Sequence, residues 1–140
     1  MATKIRPEIS KKDKYYIEKE RYYELLHFVR QYPIWTKALA SLTSMAESPI
    51  RMDAFAKAKG CPADPVAKCA EAREAYKKKI DIVDRAIMET DPDIGSMIFI
   101  GVTEGYSYEV IKARYNIPCG RNTYYELYRK FFYVLNKLRD

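Results

Sequence analysis

Two Asp-Pro pairs bracket the longest helical pattern in the sequence and constrain its fold more than any other feature. Asp64-Pro65 places a residue that favours the N-cap before a proline, which is well tolerated in the first turn of a helix. Asp91-Pro92 ends the same segment. Between the two pairs, a mainly apolar stripe recurs at alternating spacings of three and four residues: Val66, Cys69, Arg73, Tyr76, Ile80, Val83 and Ile87. The pattern predicts one long helix that packs along a partner helix.

Two partners fit this stripe. Three heptads are marginal for an independent coiled coil, so packing against the first helix of the same chain is the favoured interpretation. One charged residue, Arg73, interrupts the stripe. The oligomeric state is nevertheless left as either a monomer or a homodimer.

Two further helices are predicted before this one. Ser10 and Asp13 resemble a capping box, and apolar residues follow at helical spacing, so the first helix is expected over 11–31: Tyr15, Tyr22, Leu25, Leu26 and Val29. Pro33 then suits the first turn of a second helix, whose apolar stripe is Trp35, Leu39 and Leu42. Proline and glycine turn signals in 47–64 predict a connector with one or two helical turns.

The C-terminal part of the chain predicts three short helices with breakers between them. The first covers 94–103 and stops at Gly105, and the second covers 108–115 behind Ser107 as its cap. Residues 116–120 form a turn. The third helix is expected to begin near Asn122 or Thr123, where Thr123 and Glu126 suggest a capping box, and to continue to about Leu138. This order is typical of a helix-turn-helix.

Positive charge is concentrated in the same region. The net charge of the 140 residues is +6. Residues 110–139 carry seven Lys and Arg against one Glu, whereas 33–109 carry ten against twelve acidic residues. A local basic surface is typical of nucleic-acid binders, although a charge run can also be only a solvated helix face.

The last predicted helix has an apolar side and a basic side. The apolar side is assigned to the core: Tyr124, Leu127, Tyr128, Phe131, Leu135 and Leu138. In helix-turn-helix docking the start of this helix reads base edges, which predicts base contacts for Arg121, Asn122, Tyr125 and Arg129. Phosphate contacts are predicted for Lys130, Lys137, Arg114 and Lys112. Two alternatives stay open: each side chain can be ordinary helix surface, and a phase shift of one position would put Tyr125 and Phe132 in the core.

These residues carry a resemblance to a known family. The segment GVTEGYSYEVIKARYNIPCGRNTYYELYRKFFYVLNKLR resembles the C-termini of small phage and prophage proteins related to the ArpU- and RinA-type late transcription regulators. Their C-termini are similar to region four of sigma factors, and their Thr-aromatic-Tyr start and basic-aromatic helix are matched from Arg121 to Phe132. The earlier segments YYELLHFVRQYPIW and DPVAKCAEAREAY are similar to uncharacterised phage proteins. The resemblance implies DNA binding, with control of phage late genes or a role near packaging. The long N-terminal part and the turn at 117–120 depart from the better-known regulators.

Catalytic and metal chemistry find little support in the sequence. His27 lies on a Tyr- and Leu-rich helix, where a satisfied core or boundary histidine is favoured over a catalytic one, and no glycine-rich phosphate loop occurs. Cys61, Cys69 and Cys119 match no zinc spacing, and without an export signal they are expected to be reduced in a bacterial cytoplasm. Cys119 could gain reactivity near a helix N-terminus, but a structural role in the turn is favoured. We therefore expect no enzyme, no cofactor and no metal.

The sequence as a whole predicts an all-α protein. A helical scaffold of long antiparallel helices is expected over 1–91, and a helix-turn-helix DNA-binding module over 92–140. The expected partner is double-stranded DNA, with RNA polymerase or another phage or host protein as a further partner and no membrane. A protein-interaction module that binds an acidic host or phage protein, and a DNA-packaging accessory protein, are the alternatives. Tyr and Arg also anchor protein interfaces, so composition does not separate them.

Overall fold

The computed structural model describes residues 13–46 and 65–139, and this part of the chain is all-α, which confirms the predicted fold class. The predicted connector over 47–64 and Ser10 lie outside the described residues. None of the described helices is both long and apolar enough to span a bilayer. The helices are α1 Lys19–Arg30, α2 Tyr32–Ala46, α3 Pro65–Thr90, α4 Gly95–Glu104, α5 Tyr108–Tyr115 and α6 Arg121–Arg139.

The chain forms two compact units, and their boundaries differ from the predicted division at residue 91. One unit combines Met1–Arg30 with Ile82–Asp140, and the other is Gln31–Asp81. The physical reason lies in α1, which packs against α4 and α6 rather than within a separate N-terminal scaffold. Its buried face, formed by Tyr22, Leu25, Leu26 and Val29, supplies part of the C-terminal core.

The unit Gln31–Asp81 is built around an antiparallel pair formed by α2 and the first part of α3. The Cys69 thiol donates a hydrogen bond to the Leu42 carbonyl over 3.4 Å. At the other end of the pair, the Lys79 ammonium lies 5.8 Å from the centre of the Trp35 ring. The N-terminal half of the apolar stripe on α3 therefore packs on the second helix, and the expected packing on the first helix is wrong for this half.

The first helix begins later than the sequence suggested. The Asp13 carboxylate accepts a hydrogen bond from the Tyr15 amide at 2.8 Å, and the Asp13 carbonyl accepts one from the Tyr16 amide at 3.0 Å. These bonds close a turn, so Asp13 does not cap a helix that starts at residue 11. Ile17 is buried just before α1 begins at Lys19, and it anchors the incoming chain to the core.

The core around α6 is rich in aromatic residues. The Tyr22 and Tyr128 hydroxyls lie 3.0 Å apart and share a hydrogen bond, and the Tyr22 ring lies 4.8 Å from the Phe132 ring in an edge contact. Phe132 is thus a core residue, as the shifted helical phase allowed. Arg30 Nε donates to the Val102 carbonyl at 3.1 Å, near the C-terminal end of α4, where a cation complements the helix dipole.

The ends of the last three helices follow the predicted breakers, with one exception. Gly105 and Asn116 adopt left-handed conformations after α4 and α5, and the Ser107 hydroxyl accepts from the Val110 amide at the start of α5. At the start of α6 the Tyr124 amide donates to the Gly120 carbonyl at 3.0 Å. The helix therefore begins at Arg121, and Thr123 lies inside its first turn instead of capping it.

Two buried tyrosines make the stability of the fold sensitive to alkaline pH. Burial raises the pKa of Tyr124 and of Tyr128 above the ordinary value of 10, and neighbouring tyrosines raise both further. Above about pH 10 the unfolded chain loses these protons while the native state keeps them, so each tyrosine lowers the free energy of unfolding by about 1.4 kcal/mol per pH unit. We expect urea unfolding between about pH 10 and 11.5 to show this decline.

The variant Tyr124→Phe isolates the contribution of one tyrosine. It removes an ionisable group whose hydroxyl has no hydrogen-bond partner in the described part of the chain. The free energy of unfolding of this variant should decline with pH less steeply than that of the wild type, by about 1.4 kcal/mol per pH unit. Equal declines in the wild type and in Tyr124→Phe would show that this tyrosine ionises normally in the native state.

Candidate nucleic-acid interface

The connection between α5 and α6 is fixed by two tyrosines. The Tyr108 hydroxyl donates to the Cys119 carbonyl at 2.6 Å, and the Tyr108 amide donates to the Tyr125 hydroxyl at 3.2 Å. Ile117 is 4% exposed and holds the middle of the connection in the core. Tyr125, predicted to contact bases, is half-buried, and its hydroxyl already accepts a hydrogen bond. In this position it orients the start of α6.

Two of the predicted base-contacting residues lie exposed at the start of α6. Arg121 makes a 2.5 Å ion pair with Glu109 of α5, and its guanidinium carbon lies 5.5 Å from the centre of the Tyr125 ring. Asn122 is exposed next to it. The ion pair is itself exposed on both sides, so it is worth little and is easily exchanged for another partner.

Two predicted phosphate-contacting residues lie exposed on α5. The Arg114 guanidinium carbon lies 5.0 Å from the centre of the Tyr106 ring, which orients that side chain. Lys112 is exposed in the last turn of α5. Helix α5 packs against α6, and all four of these polar side chains are exposed on the two helices. We call Lys112, Arg114, Arg121 and Asn122 together the α5–α6 surface.

The remaining three predicted residues lie farther along α6 and differ in their environments. Lys137 is exposed, with its ammonium 4.3 Å from the centre of the Tyr133 ring, and Lys130 is half-buried. The Arg129 side chain is only 19% exposed, and its Nε lies 3.3 Å from an Asp13 carboxylate oxygen. Since that Nε is buried and its geometry does not make a hydrogen bond, the pair acts as an ion pair only. Arg129 is thus much less open than its outward helical phase predicted.

A short segment that the sequence did not link to this site lies along α6. Residues Asp13, Lys14 and Tyr15, here called the N-terminal strap, reach three side chains of that helix. Besides the Asp13 pair, Lys14 pairs with Glu126 at 3.6 Å, and the Tyr15 ring centre lies 5.5 Å from that of Tyr133. No local pattern in the sequence signals these contacts, because they join residues more than a hundred positions apart and Asp13 matches a helix cap equally well.

Cys119 shows no sign of an activated thiol. Partial burial raises its pKa above 9.0, and the Asp91 carboxylate raises it further because a thiolate near a negative charge is disfavoured. These two effects therefore outweigh the lowering of the thiol pKa that was expected from a neighbouring helix N-terminus. Within 13–46 and 65–139, no three His, Cys, Asp or Glu side chains gather in a metal-binding arrangement.

Comparisons with known proteins give no further assignment for this region. No family model, no curated protein and no solved structure matches the chain. Functional inference therefore depends on the α5–α6 surface and its surroundings.

Proposed function

We propose that the chain binds double-stranded DNA through the α5–α6 surface and acts as a phage-type transcriptional regulator. The observation that carries the proposal is the exposure of Arg121 and Asn122 at the start of α6, together with that of Lys112 and Arg114 on the preceding helix. The only acidic partner that the described contacts give to these cations is Glu109, in a solvent-exposed pair. An anionic polymer can replace that partner at little cost.

The chemistry of the four side chains fits a DNA groove. Arginine pairs bidentately with guanine and asparagine with adenine at the major-groove edge, so Arg121 and Asn122 are the candidates for reading sequence. Lys112 and Arg114 are candidates for phosphate contacts that fix the orientation of the helix. The connection held by Tyr108 and Tyr125 supports this assignment of base contacts to α6 and phosphate contacts to α5, because it fixes the geometry between the two helices. Arg129 takes no part in base reading while Asp13 covers it.

The role in transcription is the finer part of the proposal. It depends on the resemblance of the last third of the chain to late regulators of phages, and it implies RNA polymerase or another phage or host protein as a second partner. A B-form major groove accepts a helix, whereas the A-form groove of RNA is too deep and narrow, so duplex DNA is the expected ligand. A role in DNA packaging uses the same surface with other partners.

Removal of two cations from the α5–α6 surface is expected to weaken DNA binding strongly. The variant Lys112→Ala with Arg121→Ala should lose about tenfold or more in affinity for a labelled mixed-sequence duplex at low salt. The slope of log affinity against log salt should become shallower by up to about two, because up to two fewer phosphates are neutralised. Fluorescence anisotropy over a salt series measures both quantities.

A matched control separates a local site from the general effect of net charge. Lys77→Ala with Lys78→Ala removes the same charge from an exposed part of α3 and should leave affinity and salt slope nearly unchanged. Equal losses in the two double variants, or no binding by the wild type, would contradict the proposal. In the second case, a nuclease-treated pull-down that retains one stoichiometric protein would favour a protein-interaction module instead.

A further inference from the structure

We propose that the N-terminal strap is an autoinhibitory element that competes with DNA for the outward face of α6. This inference rests on the proposed function and adds its regulation. The strap joins α6 through three contacts of two kinds: the ion pairs of Asp13 with Arg129 and of Lys14 with Glu126, and the ring contact of Tyr15 with Tyr133. Together these contacts cover successive outward positions of one helix.

A helix that carries the strap cannot enter a groove to its full depth. A helix with its side chains is about 10–12 Å across, and the major groove of B-form DNA is about 12 Å wide. Glu126 and Arg129, the two ion-pair partners of the strap, follow Asn122 along the side of α6 that would face the base edges; the Arg129 side chain is 19% exposed and that of Glu126 is 51% exposed. An additional stretch of chain over that side has no room in the groove, so binding and strap closure exclude each other there.

Charge adds to this steric competition. The Asp13 carboxylate lies against Arg129, a cation that DNA would otherwise attract. While the strap is closed, the Arg129 side chain is mostly covered, and the charges of Asp13 and Lys14 in the strap offset each other. The electrostatic gain on opening therefore comes from the exposure of the Arg129 guanidinium. The open state is therefore the form with the higher affinity for DNA.

The strap can open without disturbing the core. Ile17 is 5% exposed and anchors the chain two residues after Tyr15, the end of the strap, whereas Asp13, Lys14 and Tyr15 are half-buried or exposed. The contacts of α1 with α6 do not involve the strap, since Arg21 bonds to Asn136 and Arg139 pairs with Glu24. Movement confined to residues before Ile17 would thus leave the packing of α1 on α6 in place.

Surface ion pairs and one aromatic contact are weak individually, so the closed state is favoured only modestly over the open one. The apparent affinity of a protein for its ligand is reduced by the fraction of molecules in the competent state. On this basis we expect release of the strap to raise DNA affinity by about three- to tenfold.

The test uses the full chain and two variants that loosen different contacts. Tyr15→Ala removes the ring contact without changing charge. Asp13→Asn removes the ion pair but keeps an oxygen that can accept the hydrogen bond of the Tyr15 amide. Glu20→Gln, an exposed change of the same charge on α1, is the matched control for Asp13→Asn. Affinity for the labelled mixed-sequence duplex is measured by fluorescence anisotropy, and urea unfolding verifies that every variant is folded.

The expected result is tighter binding by Tyr15→Ala and by Asp13→Asn, with Glu20→Gln close to the wild type. If the wild type binds DNA, and Tyr15→Ala and Asp13→Asn bind it with the same affinity as the wild type, the strap is not inhibitory. The proposed function would still stand. If only the two charge variants bind more tightly, and to the same extent, net charge explains the gain and the inhibitory role is overturned. If no protein binds DNA at any salt concentration, the proposed function and the strap inference both fall.

Discussion

Replacement of Gly101 by alanine is expected to lower the free energy of unfolding by about 2–3 kcal/mol, although alanine is normally the better helix residue. Gly101 lies within α4 and is buried. A Cβ added there would collide with the Tyr124 hydroxyl oxygen, whereas the next nearest atoms, the Tyr106 carbonyl oxygen and Tyr124 Cζ, lie at 3.6 Å, an ordinary contact distance. Since Tyr124 is completely buried, its ring cannot swing into solvent to relieve the clash.

The collision with a single oxygen atom makes a rescue possible. Tyr124→Phe deletes the hydroxyl that blocks the added methyl group, and that hydroxyl has no described hydrogen-bond partner to lose. In the Tyr124→Phe background, Gly101→Ala should therefore be neutral or stabilising by up to about 1 kcal/mol through its higher helix propensity. Urea unfolding of the wild type, both single variants and the double variant gives the coupling energy.

The rescue distinguishes local contact from general sensitivity of α4. If Gly101→Ala destabilises both backgrounds equally, the Tyr124 hydroxyl is not the obstacle, and Gly101 of α4 does not lie against the Tyr124 hydroxyl of α6. A stable Gly101→Ala single variant would lead to the same conclusion.

Local signals in the sequence predicted most of the helix boundaries, because caps and breakers act over a few residues. Pro65 begins α3, Gly105 and Asn116 end α4 and α5, and Ser107 starts α5, each for the backbone reason that the sequence already contained. Where two local interpretations competed, the sequence did not decide between them. Asp13 fitted a capping box but closes a turn, and Thr123 fitted a cap although α6 begins before it.

Local sequence patterns did not predict the contacts between segments that are distant in the chain. The partner of the stripe on α3, the membership of α1 in the C-terminal unit and the strap over α6 all depend on tertiary packing. For the candidate site, periodicity placed Arg121 and Asn122 on an open face but assigned the same openness to Arg129. That error has a physical cause, since a helical phase gives the direction of a side chain and says nothing about another segment that covers it.

Replacement of Gly95 by alanine is expected to be the more damaging of the two glycine substitutions, with a loss of about 3 kcal/mol or more in the free energy of unfolding. Gly95 is the first residue of α4 and is buried. A Cβ there would collide with the carbonyl oxygen of Ile87 and would lie 2.9 Å from its side-chain Cγ2. Because a backbone atom blocks the site, the end of α3 and the start of α4 would have to separate.

This obstacle should resist the kind of rescue that Gly101 allows. Ile87→Ala removes the nearby Cγ2 but leaves the carbonyl oxygen in place, so it should not restore the stability of Gly95→Ala. Gly120→Ala is the matched control, since an added Cβ there meets nothing within 4 Å. Urea unfolding of these variants should rank Gly120→Ala near the wild type, Gly101→Ala below it and Gly95→Ala lowest. Near-native stability of Gly95→Ala would mean that the junction of α3 and α4 is looser than its geometry requires.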